Sequence, residues 1–154
     1  MSNAADLAKF ANDGLSGAVL QVVQGTTSTA VSNATGSYVD TGLTATITPS
    51  STSSKIMVLV QQQGCAATLI STGSLNVKLQ RNSSDVHNFA LAYFYGYVTT
   101  SFRAGISSCF LDSPSTTSAT TYKTVFKAND GGTSTVQNDS ANSVSTITLM
   151  EIAG

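Results

Sequence analysis

The sequence predicts an all-β fold, an antiparallel β-sandwich of the jelly-roll type, on three observations. First, apolar and small polar residues alternate, as where Leu43, Ala45 and Ile47 are separated by threonines. A two-residue period places one face of a strand on a core and the other in water. Second, clusters of Ser, Asn, Asp, Gly and Pro recur between these segments. Third, no helical period follows residue 17. Short alternating segments separated by turn signals are typical of sandwiches.

The strands are predicted wherever alternation or a concentration of β-branched and aromatic residues persists between turn signals. These segments are residues 18–24, 38–40, 43–48, 55–63, 74–80, 86–95, 102–111, 120–128, 134–137 and 144–152. Pro49 and Pro114 both fall between predicted strands, so neither removes a hydrogen-bond donor from a ladder. The pattern therefore predicts a single sandwich domain that extends over residues 18–154.

Two of the turns are expected to close β-hairpins. Residues 43–48 and 55–63 are expected to pair with each other across the polar turn 49–54. Residues 129–132, with the sequence NDGG, also predict a hairpin turn. This turn lacks the alternating acidic ligands and the final glutamate of a calcium loop.

The first seventeen residues differ from the rest and are predicted to form an anchor, helical or extended. Asn3 can cap a short helix whose apolar face includes Leu7 and Phe10, and Asn12-Asp13-Gly14 is a helix-stop signal. So short a helix is not stable alone in water. The segment either packs on its own domain or docks into a partner, with Leu7 and Phe10 as the anchoring side chains.

Composition excludes several classes of partner. Charged residues make up 10% of the chain and the net charge is −1, with the basic residues scattered. Nucleic-acid binding needs a basic stripe that neutralises phosphates, so no nucleic-acid partner is expected. The apolar runs are too short to span a bilayer, and residues 1–6 do not begin a signal peptide. We therefore expect folding in a cytoplasm and no membrane insertion.

Scarce charge also predicts self-association. Natural proteins usually protect the open edges of sheets with charged side chains, of which this chain has few. Burial of edges and apolar flanks against copies of the same chain is the alternative. The sequence therefore predicts an obligate homo-oligomer and leaves the number of copies open.

No catalytic or metal-binding constellation is written in the sequence. His87 is the only histidine and is expected on the polar face of its strand, and no pair of carboxylates is singled out by spacing. Cys65 and Cys109 are expected to be free thiols packed as small hydrophobic groups, although a disulfide between them stays open. We therefore expect no enzyme activity, no bound metal and no cofactor.

Aromatic residues are concentrated in one segment. Tyr93, Tyr95 and Tyr97 alternate and so share one face of the predicted strand. They are candidates for subunit-interface contacts, where tyrosine is enriched, or for a platform on which sugar rings stack. The interface interpretation is favoured, and the absence of tryptophan weakens the sugar interpretation.

Two stretches of the chain resemble segments of virion proteins from tailed bacteriophages, especially those of cyanobacteria and marine bacteria. They are residues 40–58, DTGLTATITPSSTSSKIMV, and residues 145–152, STITLMEI. In such proteins the first stretch often follows a strand like residues 19–24, VLQVVQ. Residues 62–132 carry no such resemblance, and no binding residue transfers with the matched stretches.

The resemblance implies a non-enzymatic structural protein of the virion surface, commonly a trimer, released by lysis. A tail-fibre or receptor-binding component is the first expectation, attached to other virion proteins through the N-terminal segment and contacting a glycan of the host surface. A capsid decoration protein is the alternative, because the segment before the domain is short for a fibre shaft. A stand-alone carbohydrate-binding module is the alternative from a different class.

Overall fold

The computed structural model describes residues 16–68, 74–93, 102–129, 132–139 and 142–154. The described residues form strands and no helix. Most of the predicted anchor, with Leu7 and Phe10, lies outside the described residues, so its helical or extended form stays a prediction.

Ten strands form two antiparallel sheets, as the sequence predicts. The strands are β1 (Val19–Thr27), β2 (Val31–Asn33), β3 (Val39–Ile47), β4 (Lys55–Thr68), β5 (Ser74–Arg81), β6 (Ser84–Tyr93), β7 (Phe102–Asp112), β8 (Thr120–Asn129), β9 (Thr133–Val136) and β10 (Ser145–Ile152). Sheet A is built around β4, with β7 on one flank. On the other flank, β10 and then β1 follow the first half of β4, whereas β9 and then β2 follow its end. Sheet B has the order β3-β8-β5-β6.

The core lies between the two sheets and contains the residues that the alternation assigns to the inner face. In β3, Leu43, Ala45 and Ile47 are buried while the intervening threonines are exposed. They pack with Ile147 and Leu149 of β10 in the larger of two apolar clusters. Burial of such side chains on both inner faces is the main term that stabilises a sandwich. The predicted fold class is confirmed.

Both predicted hairpins are wrong. β3 lies in sheet B and β4 in sheet A, so the turn 49–54 passes from one sheet to the other. β8 and β9 are likewise in different sheets, so the connection that contains residues 130–131 closes no hairpin. The physical reason is that alternation tells which face of a strand is buried but not which strand it pairs with.

Two strand boundaries also differ from the prediction. The segments 38–40 and 43–48 form one strand, because Gly42 with a φ of +82° lets the chain pass through an irregularity between Asp40 and Thr44. β2 was not predicted, since its three residues are too few for a period to be recognised. The other predicted strands correspond to observed ones with ends that shift by a few residues.

Candidate functional site

The two ends of the sandwich differ in what they carry. At one end, which we call the terminal end, the described chain enters and leaves. Val19 pairs with Ile152, and the Gly17 N–H donates to the Ala153 carbonyl at 2.8 Å. The turn 49–54 and the connection 113–119, which both pass between the sheets, lie at this end as well. The first described residues, 16 and 17, therefore lie at the terminal end.

At the opposite end, which we call the loop end, four further connections pass between the sheets. They contain residues 34–38, 69–73, 94–101 and 130–131. Strand ends that flank them are paired with one another: Ser74 with Asn129 in sheet B, and Thr68 with Thr133 in sheet A. This arrangement brings together the strand ends of four connections that are distant in the sequence.

Of the three candidate tyrosines, the structure describes Tyr93, at the loop end. β6 ends there at Tyr93, whose backbone pairs with Leu75. Residues 94 and 95, which are the last two of the predicted strand 86–95, lie outside the described residues, and so does Tyr97. The expectation that the three tyrosines share one face therefore stays a prediction.

The terminal end is held together by a buried carboxylate, Glu151. Its Oε1 accepts hydrogen bonds from the Ser50 backbone N–H at 2.7 Å, the Ser50 hydroxyl at 2.6 Å and the Ser54 hydroxyl at 2.7 Å. Its Oε2 accepts from Nε2 of Gln21 at 2.6 Å. Burial alone raises the pKa of Glu151, but these hydrogen bonds outweigh it and lower the pKa to about 2. Glu151 thus fixes the inter-sheet turn 49–54 upon sheet A.

A second polar contact joins the sheets at the same end. Asp112, at the end of β7, accepts hydrogen bonds from Nη1 of Arg81 at 2.8 and 3.0 Å and from the Tyr122 hydroxyl at 2.7 Å. Burial and the neighbouring Asp112 carboxylate both raise the pKa of the Tyr122 phenol. Since Arg81 and Tyr122 belong to sheet B and Asp112 belongs to sheet A, this cluster connects the two sheets.

The outer face of sheet B carries half of the charged side chains of the described strands. Lys78 pairs with Asp85 and Lys123 pairs with Asp40, each at 2.7 Å. The hydrogen bond between the first two raises the pKa of Lys78 and lowers that of Asp85. Nζ of Lys78 also lies 4.3 Å from the centre of the Tyr38 ring, a cation–π contact.

The middle of the outer face of sheet A carries no charged side chain across β1, β10, β4 and β7. Strand register defines three cross-strand rows, which together we call the neutral face: Val22–Met150–Met57–Leu111, Gln24–Thr148–Leu59–Cys109 and Thr26–Thr146–Gln61–Ser107. Val22 is 56% exposed, Leu111 46% and Leu59 37%. An open groove of about 450 Å³ lies over the last two rows, beside Leu59 and Cys109. Sequence reasoning missed this surface, although the exposed apolar positions could have been found once strand order was known.

The cysteine prediction is correct in one part and wrong in another. Both thiols are free and Cys65 is buried, where burial raises its pKa to about 12. Cys109, however, is exposed on the neutral face, with its Sγ 3.2 Å from Sδ of Met57. The reason is that side chains alternate between the two faces of a strand, and Cys109 occupies an outward-facing position of β7.

His87 is not on a polar face as predicted. It is half-buried, and its ring stacks on Phe110 with 4.8 Å between the ring centres. Among the described residues, no three His, Cys, Asp or Glu side chains are grouped closely enough to hold a metal ion. The described part of the chain also contains no helix long and apolar enough to cross a membrane.

Comparison with known proteins yields a structural likeness alone. No protein-family model matches the chain, and no curated protein matches it. The chain is similar to the structure of the infectious bursal disease virus Gx strain, with a TM-score of 0.49 and 12% identity over 87% of this chain and 32% of that one. It is also similar to the VP2 subviral particle of that virus, with a TM-score of 0.48 and 11% identity over 88% and 39% of the two chains. The chain thus spans well under half the length of these proteins, and a likeness at this level assigns no function.

Proposed function

We propose that the protein is a non-enzymatic structural protein of a tailed-phage virion. In this proposal a homo-oligomer, expected to be a trimer, stands on the particle surface as a tail-fibre or receptor-binding component. Residues 1–17 attach it to other virion proteins, and the loop end faces the host.

The separation of the two ends is the observation that supports this proposal most directly. The chain enters at the terminal end, so a partner that holds residues 1–17 leaves the opposite end free. Binding residues are concentrated on loops that a rigid scaffold positions, and four connections between the sheets belong to the loop end. β6 finishes at this end with Tyr93, and Tyr95 and Tyr97 follow it in the sequence, so the proposal assigns the candidate aromatic residues to the loop end.

The resemblance to phage virion proteins adds support of a different kind. Its main stretch, residues 40–58, corresponds to most of β3, the inter-sheet turn and the start of β4. Within it, Ser50 and Ser54 hold Glu151, which itself lies in the second matched stretch, residues 145–152. The two stretches are therefore parts of one structural unit at the terminal end, which is the end assigned to attachment.

The location on the particle is tested by labelling. We expect mass spectrometry to find the protein in particles purified from the source culture, and gold-labelled antibody to mark tails in electron micrographs. Label on empty, tailless heads would instead establish the decoration function. Absence from all particles would overturn both. A chain without residues 1–14 is expected to fold but not to enter particles.

Receptor binding is tested with the purified full chain on host cells and on an array of host surface glycans. We expect binding that Tyr95→Ala abolishes and that the matched control Tyr38→Ala, on the outer face of sheet B, retains. Equal loss in both variants would contradict recognition by the loop end. Binding that requires added calcium would favour a carbohydrate-binding module.

A further inference from the structure

The distribution of charge over the two outer faces is unequal. Sheet B carries two exposed ion pairs and Lys127, whereas none of the positions in the neutral face of sheet A is charged. Charged residues flank that face only at its margins, with Lys55 towards the terminal end and Arg103 towards the loop end. Depletion of charged residues at the centre, with charged and polar residues at the rim, is typical of protein–protein interfaces.

We propose that the neutral face packs against a second copy of this chain. The proposal deepens the function proposed above, since it names the surface that would form the oligomer. The lack of charge favours a second copy as the partner, because two uncharged faces do not repel each other when they come together. A highly charged partner would lose hydration there without a counter-charge to replace it.

The neutral face can supply much of the area of such a contact. Four strands about 4.8 Å apart and five residues that rise about 3.4 Å each give a flat footprint of roughly 330 Å². Two copies therefore contribute roughly 650 Å² before the relief of the side chains and the margins of the face are counted, and a specific interface needs about 1,000 Å² in total. The face is also larger than the isolated apolar side chains that monomers commonly expose.

The neutral face has both a groove and projecting apolar side chains. The groove beside Leu59 and Cys109 has a volume of about 450 Å³. Leu111 and Val22, in the neighbouring row, are among the most exposed apolar side chains of the described residues. In the proposed contact, an apolar side chain of this row from one copy fills the groove of the other. Filling of such a recess excludes water and sets the register between copies.

The first test is the molar mass of the full chain in solution, measured by light scattering at micromolar concentration. We expect a whole multiple of 15.8 kDa for the natural chain and 15.8 kDa for Leu59→Glu. The matched control Asn88→Glu adds the same charge on β6 of sheet B and is expected to keep the natural mass. A monomeric natural chain, as when residues 1–15 cover the face instead, would overturn the proposal. An undiminished mass in a folded Leu59→Glu chain would do so too.

A second test needs no folding-sensitive substitution. Cys109 is exposed in the single chain while Cys65 is buried, so alkylation of the native protein reports on the neutral face. We expect the alkylation rate to fall as protein concentration rises, and Cys109→Ser to remove the fast reaction. Fast alkylation of Cys109 in a sample that is oligomeric by light scattering would place the contact elsewhere and refute the assignment. Neither measurement involves particles, so this inference and the virion proposal can fail separately.

Discussion

At the scale of single residues, Glu151 shows how a sandwich with few charged residues accommodates a buried carboxylate. A carboxylate removed from water is costly unless hydrogen bonds replace its hydration. Ser50, Ser54 and Gln21 supply these bonds, and three of the four reach the same oxygen. The cluster connects β1, the turn 49–54 and β10, so one side chain coordinates three segments that are far apart in the sequence.

The position of Glu151 predicts a specific loss of stability in acid. The pKa is lowered from 4.5 to about 2 in the folded chain, so the stabilisation is complete above pH 4.5 and is lost as the pH falls towards 2. Glu151→Gln places an amide N–H where Gln21 needs an acceptor and is expected to cost about 1–3 kcal/mol at neutral pH. The variant should also lack this component of the acid sensitivity.

Urea unfolding at a series of pH values checks this prediction. The control Asp40→Asn removes an exposed carboxyl that pairs with Lys123, and a surface pair of this kind is worth about 0–1 kcal/mol. That variant keeps Glu151 and is expected to retain the acid sensitivity. Equal pH dependence in Glu151→Gln and the natural chain would show that the Glu151 cluster does not contribute.

At the scale of elements, β1 is an edge strand whose backbone lies close to the opposite sheet. Gly25 of β1 faces the carbonyl of Thr44 in β3, and a Cβ added at Gly25 would overlap that oxygen. A larger residue at this point would separate β1 from β3 or displace β1 from β10. Among the described strands β1 pairs with β10 alone, so it has little other support in its sheet.

This close approach predicts that Gly25→Ala destabilises the fold. Overpacking against backbone that cannot move away costs about 1–3 kcal/mol or more. Gly36→Ala is the matched control, since nothing lies within 4 Å of a Cβ added there, and it is expected to be neutral. Thermal unfolding of the two variants checks the prediction, and equal midpoints would contradict the contact between β1 and β3.

At the scale of the whole molecule, the last strand completes the fold. β10 lies between β1 and β4, and it contributes Ile147 and Leu149 to the core and Glu151 to the terminal end. The first strand therefore has no partner in sheet A until the last strand is in place. Pairing between the two ends of the chain makes the contacts strongly non-local, which slows folding.

The location of β10 predicts that the two termini respond differently to truncation. Removal of residues 145–154 exposes the inner face of sheet A and is expected to abolish cooperative unfolding. Removal of residues 1–14 takes away none of the buried core residues of the described sandwich and is expected to leave the midpoint unchanged. Circular dichroism during heating distinguishes these outcomes. A cooperative transition in the chain shortened at the C-terminus would show that β10 is dispensable.

Alternation in the sequence was enough to determine the fold class, most of the strands and the buried face of β3. This is because hydrophobic period is a local property that each segment carries by itself. Alternation could not predict the positive φ of Gly42, because that is a property of the backbone conformation. It could not predict β2 either, because three residues are too few for a period to be recognised.

Only the tertiary structure decided which strands are partners, and with them the surfaces that matter. The sequence placed 43–48 and 55–63 in a hairpin, but those strands lie in different sheets and meet only across the core. The neutral face is made by four strands that come from both ends and the middle of the chain. No single segment carries that surface, because strand pairing depends on contacts between residues far apart in the sequence. The loop end is likewise formed by segments that are far apart in the sequence.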